Sequence, residues 1–214
     1  MCLKGMQACF SIVVVITSMY KIERSALSKR QNIIDAAKSL LWEQGFEAMS
    51  PKKVMRLSGA GQGSLYHHFE GKEDLALTAL EEVSGELRCA IEDVFDGPKD
   101  PMDRLYDYLH TPREELKGCK LGRLVGEKTI IESNICGVIS AYFDFVASHI
   151  QTALADAKAA GDLPPHLDVE TVARSLAATI QGGYVLARGT GDARQMQMAQ
   201  EGAWAMIEGL SSRF

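Results

Sequence analysis

The chain contains no CxxC pair, no HExxH run and no G-x-S-x-G elbow. Those absences remove the common zinc sites, the zinc-protease helix and the α/β-hydrolase nucleophile. Its five cysteines (Cys2, Cys9, Cys89, Cys119, Cys136) are odd in number and scattered, so they imply a reducing compartment rather than a disulfide framework. His67 and His68 are adjacent and diverge on a helix, so they cannot share a metal. His110, His149 and His166 are far apart in sequence, and no metal site or cofactor is expected. Gly122-Arg-Leu-Val-Gly126-Glu-Lys128-Thr129 echoes a phosphate loop, but Glu127 interrupts its Gly-Lys-Thr run with negative charge where phosphate would sit. There are only six prolines and no low-complexity run, which argues for compact structure throughout.

A spanning segment is missing too. Gly5 to Tyr20 carries no charge, but these sixteen residues fall short of the roughly 20 that cross a bilayer. Only Lys4 marks a signal-peptide n-region, and no A-x-A-like site follows. Residues 1–20 are therefore set apart as an apolar extension. Either translation begins at Met19 and they are not essential, or they form a membrane-associating arm or an element packed on the body.

An excess of basic charge is also absent from the whole, whose net charge is −5. Divided along the chain, the balance changes. From Lys21 to Lys72 nine Lys/Arg face five Asp/Glu, a net +4, whereas Glu73 to Phe214 carries thirteen against twenty-three, a net −10. One basic segment beside an acidic remainder suits a protein that meets phosphates at one end.

What is present is helical punctuation. At 214 residues, 46% hydrophobic, the chain can bury one sizeable core, or a small domain and a larger one. Ser28 and Gln31 form a capping box opening a helix through Ile33, Ile34, Ala37, Leu40 and Leu41 that Gly45 ends. Ser50 and Pro51 then start a second helix, with Val54, Met55 and Leu57 on its apolar side. Gly59-Ala60-Gly61 stops it, and a third follows from Gln62 to Phe69, Leu65 and Phe69 pointing inward. Two short helices about a glycine turn are the arrangement that places one of them in the major groove of DNA.

A long helix from Lys72 to about Phe95 links this head to the rest. Beyond Asp96-Gly97-Pro98, helices are expected at Pro101 to His110, a short piece before Gly118, Leu121 to Ile131, Asn134 to Ala159, Asp168 to Ala187 and Asp192 to Ser211. No strand is convincing. The fold class is therefore all-α: an N-terminal three-helix head with a helix-turn-helix (residues 21–71) and a larger C-terminal helical domain (72–214). Ala177, Ala178, Gly182 and Gly183 are small enough for close helix approach, and Trp204 suits an aromatic anchor in a dimer interface. Met102, Tyr106, Leu109, Phe143 and Phe145 are candidates to line a cavity.

The run G-x-x-x-G-S-L-Y-H-H-F-x-x-K-E-x-L from Gly59 to Leu75, after a helix closing on Gly45-Phe46, resembles the TetR family of bacterial transcriptional regulators. The specific match covers about Ser28 to Leu80. Gly118-Cys119-x-Leu121-Gly122 with Glu127, AKAAGDL at Ala157 to Leu163, and Gln181-Gly182-Gly183 are similar to the ligand-binding portion of a multidrug-type or LmrA/YxaF-like branch. The resemblance implies a cytoplasmic homodimeric repressor, not an enzyme and not membrane-bound. It would dimerise through its two C-terminal helices and leave a double-stranded operator when a small-molecule effector binds.

Carried over residue by residue, the resemblance implies that Tyr66 and Lys72 meet phosphates and that Ser50 and the Gly63 N–H make further backbone contacts, with Lys52 and Lys53 beside them. Gln62 is the best candidate to read a base, its amide matching adenine N6/N7; Ser64 and His67 are weaker ones. Gln181 and Tyr184 join Met102, Tyr106, Leu109 and Phe143 as effector contacts. There are departures: Gly61 stands where serine is common, Gln62 where lysine or arginine is, and Glu70 adds negative charge near DNA. Lys117 and Lys120 flank Cys119, and nearby positive charge favours thiolate. A repressor sensing oxidants or electrophiles through Cys119 is therefore the alternative, set against a small buried residue after a turn. An all-α enzyme and a membrane-tethered regulator are the remaining rivals.

Overall fold

The computed structural model describes residues 28–211; the expectations for residues 1–20 lie outside them. A first helix, α1, covers residues 28–44, and its apolar stripe of Ile33, Ile34, Ala37, Leu40 and Leu41 is buried. Residue 28 is already helical. The Gln31 amide donates to Asp35 Oδ1 at 3.1 Å and Glu82 Oε2 at 3.0 Å, so it ties α1 to a later helix instead of serving the expected capping box.

The second helix, α2 (Pro51–Ser58), begins as expected: Ser50 Oγ accepts from the Lys53 N–H at 3.3 Å, and Pro51 opens the first turn. Gly59 ends it at φ 69°, a left-handed conformation that disfavours a Cβ. Val54 is buried, but Leu57 is 56% exposed, against expectation. At 100° per residue Ser58, Pro51 and Met55 lie on one side of Val54, and Leu57 lies about 60° away on the other, past the edge of the buried arc. The third helix, α3 (Gln62–His68), has Gly61 as N-cap without a side-chain bond. Its Leu65 and the following Phe69 are buried in the head.

The linking helix α4 (Lys72–Phe95) matches its expected bounds, with Leu75, Leu80 and Val83 buried. Lys38 of α1 reaches Glu82 and Glu86 of α4, each at 2.7 Å. Burial opposes its charge, but the two carboxylates outweigh it and raise its pKa. Helix α5 (Pro101–His110) follows. Residues 115–117 form a turn, not the short helix expected before Gly118. The single helix expected from Leu121 to Ile131 is instead a 3-10 segment, Gly122–Gly126, and one helical turn, α6 (Lys128–Ile131). Glu127 between them is extended, at φ −93° and ψ 120°.

Helix α7 (Ile135–Ala160) packs against α4, α5 and α8 (Val169–Thr190), and α8 against α9 (Arg194–Glu208). Asp168 caps α8, its carboxylate accepting from both Thr171 N–H and Oγ1; these bonds lower its pKa. A Cβ on Gly183 would stand 2.9 Å from Ala199 Cβ and Met196 Sδ, so glycine there sets the approach of α8 to α9. Trp204 is half-buried and edge-to-face with Tyr106 at 5.1 Å, so it packs α9 on α5 within its own chain. One hydrophobic core runs from Ile33 in the head to Ile207 in α9. Among the described residues there is no strand and no helix long and apolar enough to cross a membrane.

Candidate nucleic-acid interface and ligand cavity

Burial of Leu65 and Phe69 turns the opposite side of α3 outward. Gln62, Gly63, Tyr66 and His67 are exposed, Tyr66 by 52%, while Ser64 is half-buried. A Cβ on Gly63 would meet nothing within 4 Å, so its backbone has open space before it. Gln62 and His67 are thus open to solvent, and Ser64 partly so. Lys52 is exposed on α2.

Two other lysines are engaged inside the head. Lys53 Nζ donates to Gln44 Oε1 at 2.6 Å and Ala48 O at 2.8 Å. Lys72 Nζ donates to Glu47 O at 3.3 Å and lies 4.3 Å from the Phe46 ring centroid. Burial lowers the Lys72 pKa against the opposing pull of Glu127 and Glu47. Both ammonium groups therefore also hold the α1–α2 loop in place. His68 is half-buried beside Phe69, whose ring carries Arg30 above it at 5.4 Å.

The larger domain holds a cavity of about 790 Å³ between the 118–126 segment, α7 and α8. Phe143, Gln181 and Tyr184, expected as ligand contacts, line it together with Cys119, Arg123 and Arg188. Deeper space of about 260 Å³ meets Leu87, Ile91 and Val94 of α4, with Tyr108 and Tyr142 on its wall. Both phenols are pushed up by burial, Tyr108 to about 12, so they remain neutral hydrogen-bonding groups.

Met102, Tyr106 and Leu109 line neither space. Leu109 is fully buried in the core. Tyr106 is 44% exposed, stacked on His110 at 4.0 Å, and Met102 is packed against the core. The turn of α5 that carries Leu105 and Leu109 inward presents Tyr108 to the smaller space, next to Leu109 and two positions from Tyr106. Phe145 packs on His149 at 4.3 Å instead.

Cys119 is buried and its Sγ accepts from the Gly122 N–H at 3.3 Å. The ammonium groups of Lys117 and Lys120 lie over the Trp42 ring, at 4.7 and 4.9 Å. No group of three potential metal ligands occurs among the described residues.

Two side chains, Glu127 and Trp42, tie the head to the cavity wall. Glu127, directly after the 3-10 segment of the cavity wall, accepts the Phe46 N–H at 3.0 Å on one carboxylate oxygen and the Glu47 N–H at 2.6 Å on the other. Trp42 Nε1, near the end of α1, donates to Gly118 O at 2.9 Å in the same wall. In the sequence Glu127 is only part of a motif and the spoiler of a phosphate loop. Its partners lie 80 and 81 residues away, beyond any local pattern.

Comparison with known proteins finds two family models along the chain. Residues 33–79 match the family model described as bacterial regulatory proteins, tetR family, and residues 100–203 match the tetracyclin repressor-like C-terminal domain. The HTH-type transcriptional regulator LmrA of Bacillus subtilis is 32% identical over 108 residues, 47% of this chain and 57% of LmrA. The HTH-type transcriptional repressor ComR of Escherichia coli is 27% identical over 184 residues, 82% of this chain and 88% of ComR. Thus the chain spans little more than half of LmrA but most of ComR. The crystal structure of a TetR transcriptional regulator from Chloroflexus aurantiacus has the same fold, with a TM-score of 0.77 at 24% identity over 88% of this chain and 98% of that one.

Proposed function

The chain belongs to the tetR family of bacterial regulatory proteins, and from that premise we propose that this DNA-binding transcriptional regulator is a cytoplasmic homodimeric repressor that leaves its operator when a small molecule fills the cavity of residues 118–189. Its relatives are transcriptional regulators, not enzymes. The head (residues 21–71) would read DNA and the remainder (72–214) would bind effector and partner. Gln62 would pair with a base, with Ser64 and His67 beside it. Tyr66, Lys52, Ser50 and the Gly63 N–H would hold phosphates. Lys53 and Lys72 retain ammonium hydrogens beyond those spent on the loop, and would add charge at the rim of the site.

A second copy is supported by an unpartnered face of α8 and α9. Leu186 is 53% exposed, Met198 67% and Met206 63%. Side chains of this size rarely remain wet together on a monomer. Two heads set about 34 Å or a multiple apart make a palindromic operator readable.

The observation that carries the effector reading is the shared carboxylate of Glu127. The same short segment walls the cavity and accepts two head N–H groups, so an effector that displaces it favours a different head position. The contact of the deeper space with α4 offers a second lever on the linking helix. The test is titration of a selected operator duplex by wild type and by Glu127→Ala, with and without a compound that releases the wild type. The variant should bind DNA and lose most of the response; an undiminished response would remove Glu127 from the coupling.

A further inference from the structure

The charge of the cavity limits what can fill it. Its lining contains two arginines, Arg123 and Arg188, and no Asp or Glu. Both side chains start beside Gly118: a Cβ there would lie 3.8 Å from Arg188 Cδ, 4.0 Å from Arg188 Nη1 and 4.0 Å from Arg123 Cβ. Neither arginine has an ion-pair partner within 4.0 Å among the described residues. Arg123 Nε is buried without any hydrogen-bond partner.

Glu127 acts on Arg123 from nearby, but its two oxygens are already occupied by Phe46 and Glu47 N–H groups. Burial and then the like charge of Arg188 lower the Arg123 pKa. Two like charges at the rim of an apolar space, half-buried Arg123 and exposed Arg188, with no acid in the lining to balance them, form a site that an anion completes.

Resting on the effector-cavity reading above, we propose that the effector is a small organic anion, a carboxylate or phenolate on an apolar ring body. Arg123 and Arg188 would clamp the anionic head, since guanidinium forks match carboxylate geometry. Phe143 and Val185 would wall the ring body, and the Gln181 amide and Tyr184 hydroxyl would fix its orientation. Burial pushes the Tyr184 phenol up to about 12, so this residue donates a neutral hydrogen bond and adds no competing negative charge.

Three probes with one ring body and different heads decide it: naphthoate, naphthamide and naphthylmethylammonium, titrated calorimetrically into the full chain. Naphthoate should bind about tenfold or more tightly than either of the others. The double variant Arg123→Gln/Arg188→Gln should bring naphthoate to the level of the amide and change amide binding by less than about threefold, a selectivity that mere loss of structure would not give. Equal or tighter binding of the amide or the ammonium, or no binding of any probe at millimolar concentration, overturns the anion assignment. Operator affinity is read in the same samples. Naphthoate that binds in the expected charge order but leaves DNA affinity unchanged would instead overturn the effector reading while sparing the charge assignment.

Discussion

Gln62 stands on the free face of α3 with no hydrogen-bond partner among the described residues, and its amide is what a base would meet. Gln62→Ala should relax selectivity at one base position at a cost of roughly 1 to 3 kcal/mol, leaving the rest of the profile intact. Identical site profiles for variant and wild type would remove it from the reading set. Lys72 had one expected role and shows a second. Its place over Phe46 and against Glu47 O predicts that Lys72→Ala lowers head stability as well as the salt slope of DNA binding, the slope by about one phosphate.

His68 gives the head a pH dependence of known sign. Burial, then His67 and Arg30, hold its pKa below 6.5, so the fold prefers the neutral ring. The unfolded chain binds the extra proton first, and stability is lost as the pH falls from 6.5 through the folded value. A melting series from pH 7 to pH 5 should slope downward, and His68→Gln should flatten it. An unchanged slope would assign the dependence to another group.

Among the elements, the 3-10 segment and its flanking Glu127 do what regular helices do not. This five-residue turn between glycines carries Leu124 into the core and packs Gly122 against Gln181 and Phe143, so a shift at the cavity wall is passed to the helices behind it. Gly45 shows how tight the junction is: it lies at φ +88°, and a Cβ there would collide with Glu127 Oε1. Gly45→Ala should therefore cost about 1 to 3 kcal/mol, seen as a lower melting temperature. Wild-type stability in this variant would mean that the Glu127 contact is not made.

The long elements were legible in the sequence because their ends carry chemistry. Lys72–Phe95 and Pro101–His110 match their expected bounds, each set by a glycine or proline and sustained by helical spacing. The exposed face of α3 was legible for the same reason, once Leu65 and Phe69 were turned inward. The cavity was legible only in part. Phe143, Gln181 and Tyr184 were found, but period alone could not separate Tyr108 from Tyr106 on a helix that faces α7 on one side and α9 on another. The bonds of Glu127 were illegible, since both donors to its oxygens are backbone N–H groups, which every residue but proline carries.

For the whole molecule, the basic head and acidic body act together only if two copies hold two heads at a fixed distance. The face of Met198 and Met206 is the place to disturb this without touching the cavity. Met198→Glu/Met206→Glu should convert the dimer to monomer in sedimentation and weaken operator binding at least tenfold, because one head neutralises about half the phosphates. A dimer that persists would move the interface elsewhere.

The most direct measurement is selection of bound duplexes from random DNA by the full chain at one stated salt concentration. A dimeric reader predicts enrichment of a palindrome whose half-sites are centred about 34 Å or a multiple apart, with one position relaxed in a parallel selection by Gln62→Ala. A pool that yields no palindrome would contradict the dimeric repressor.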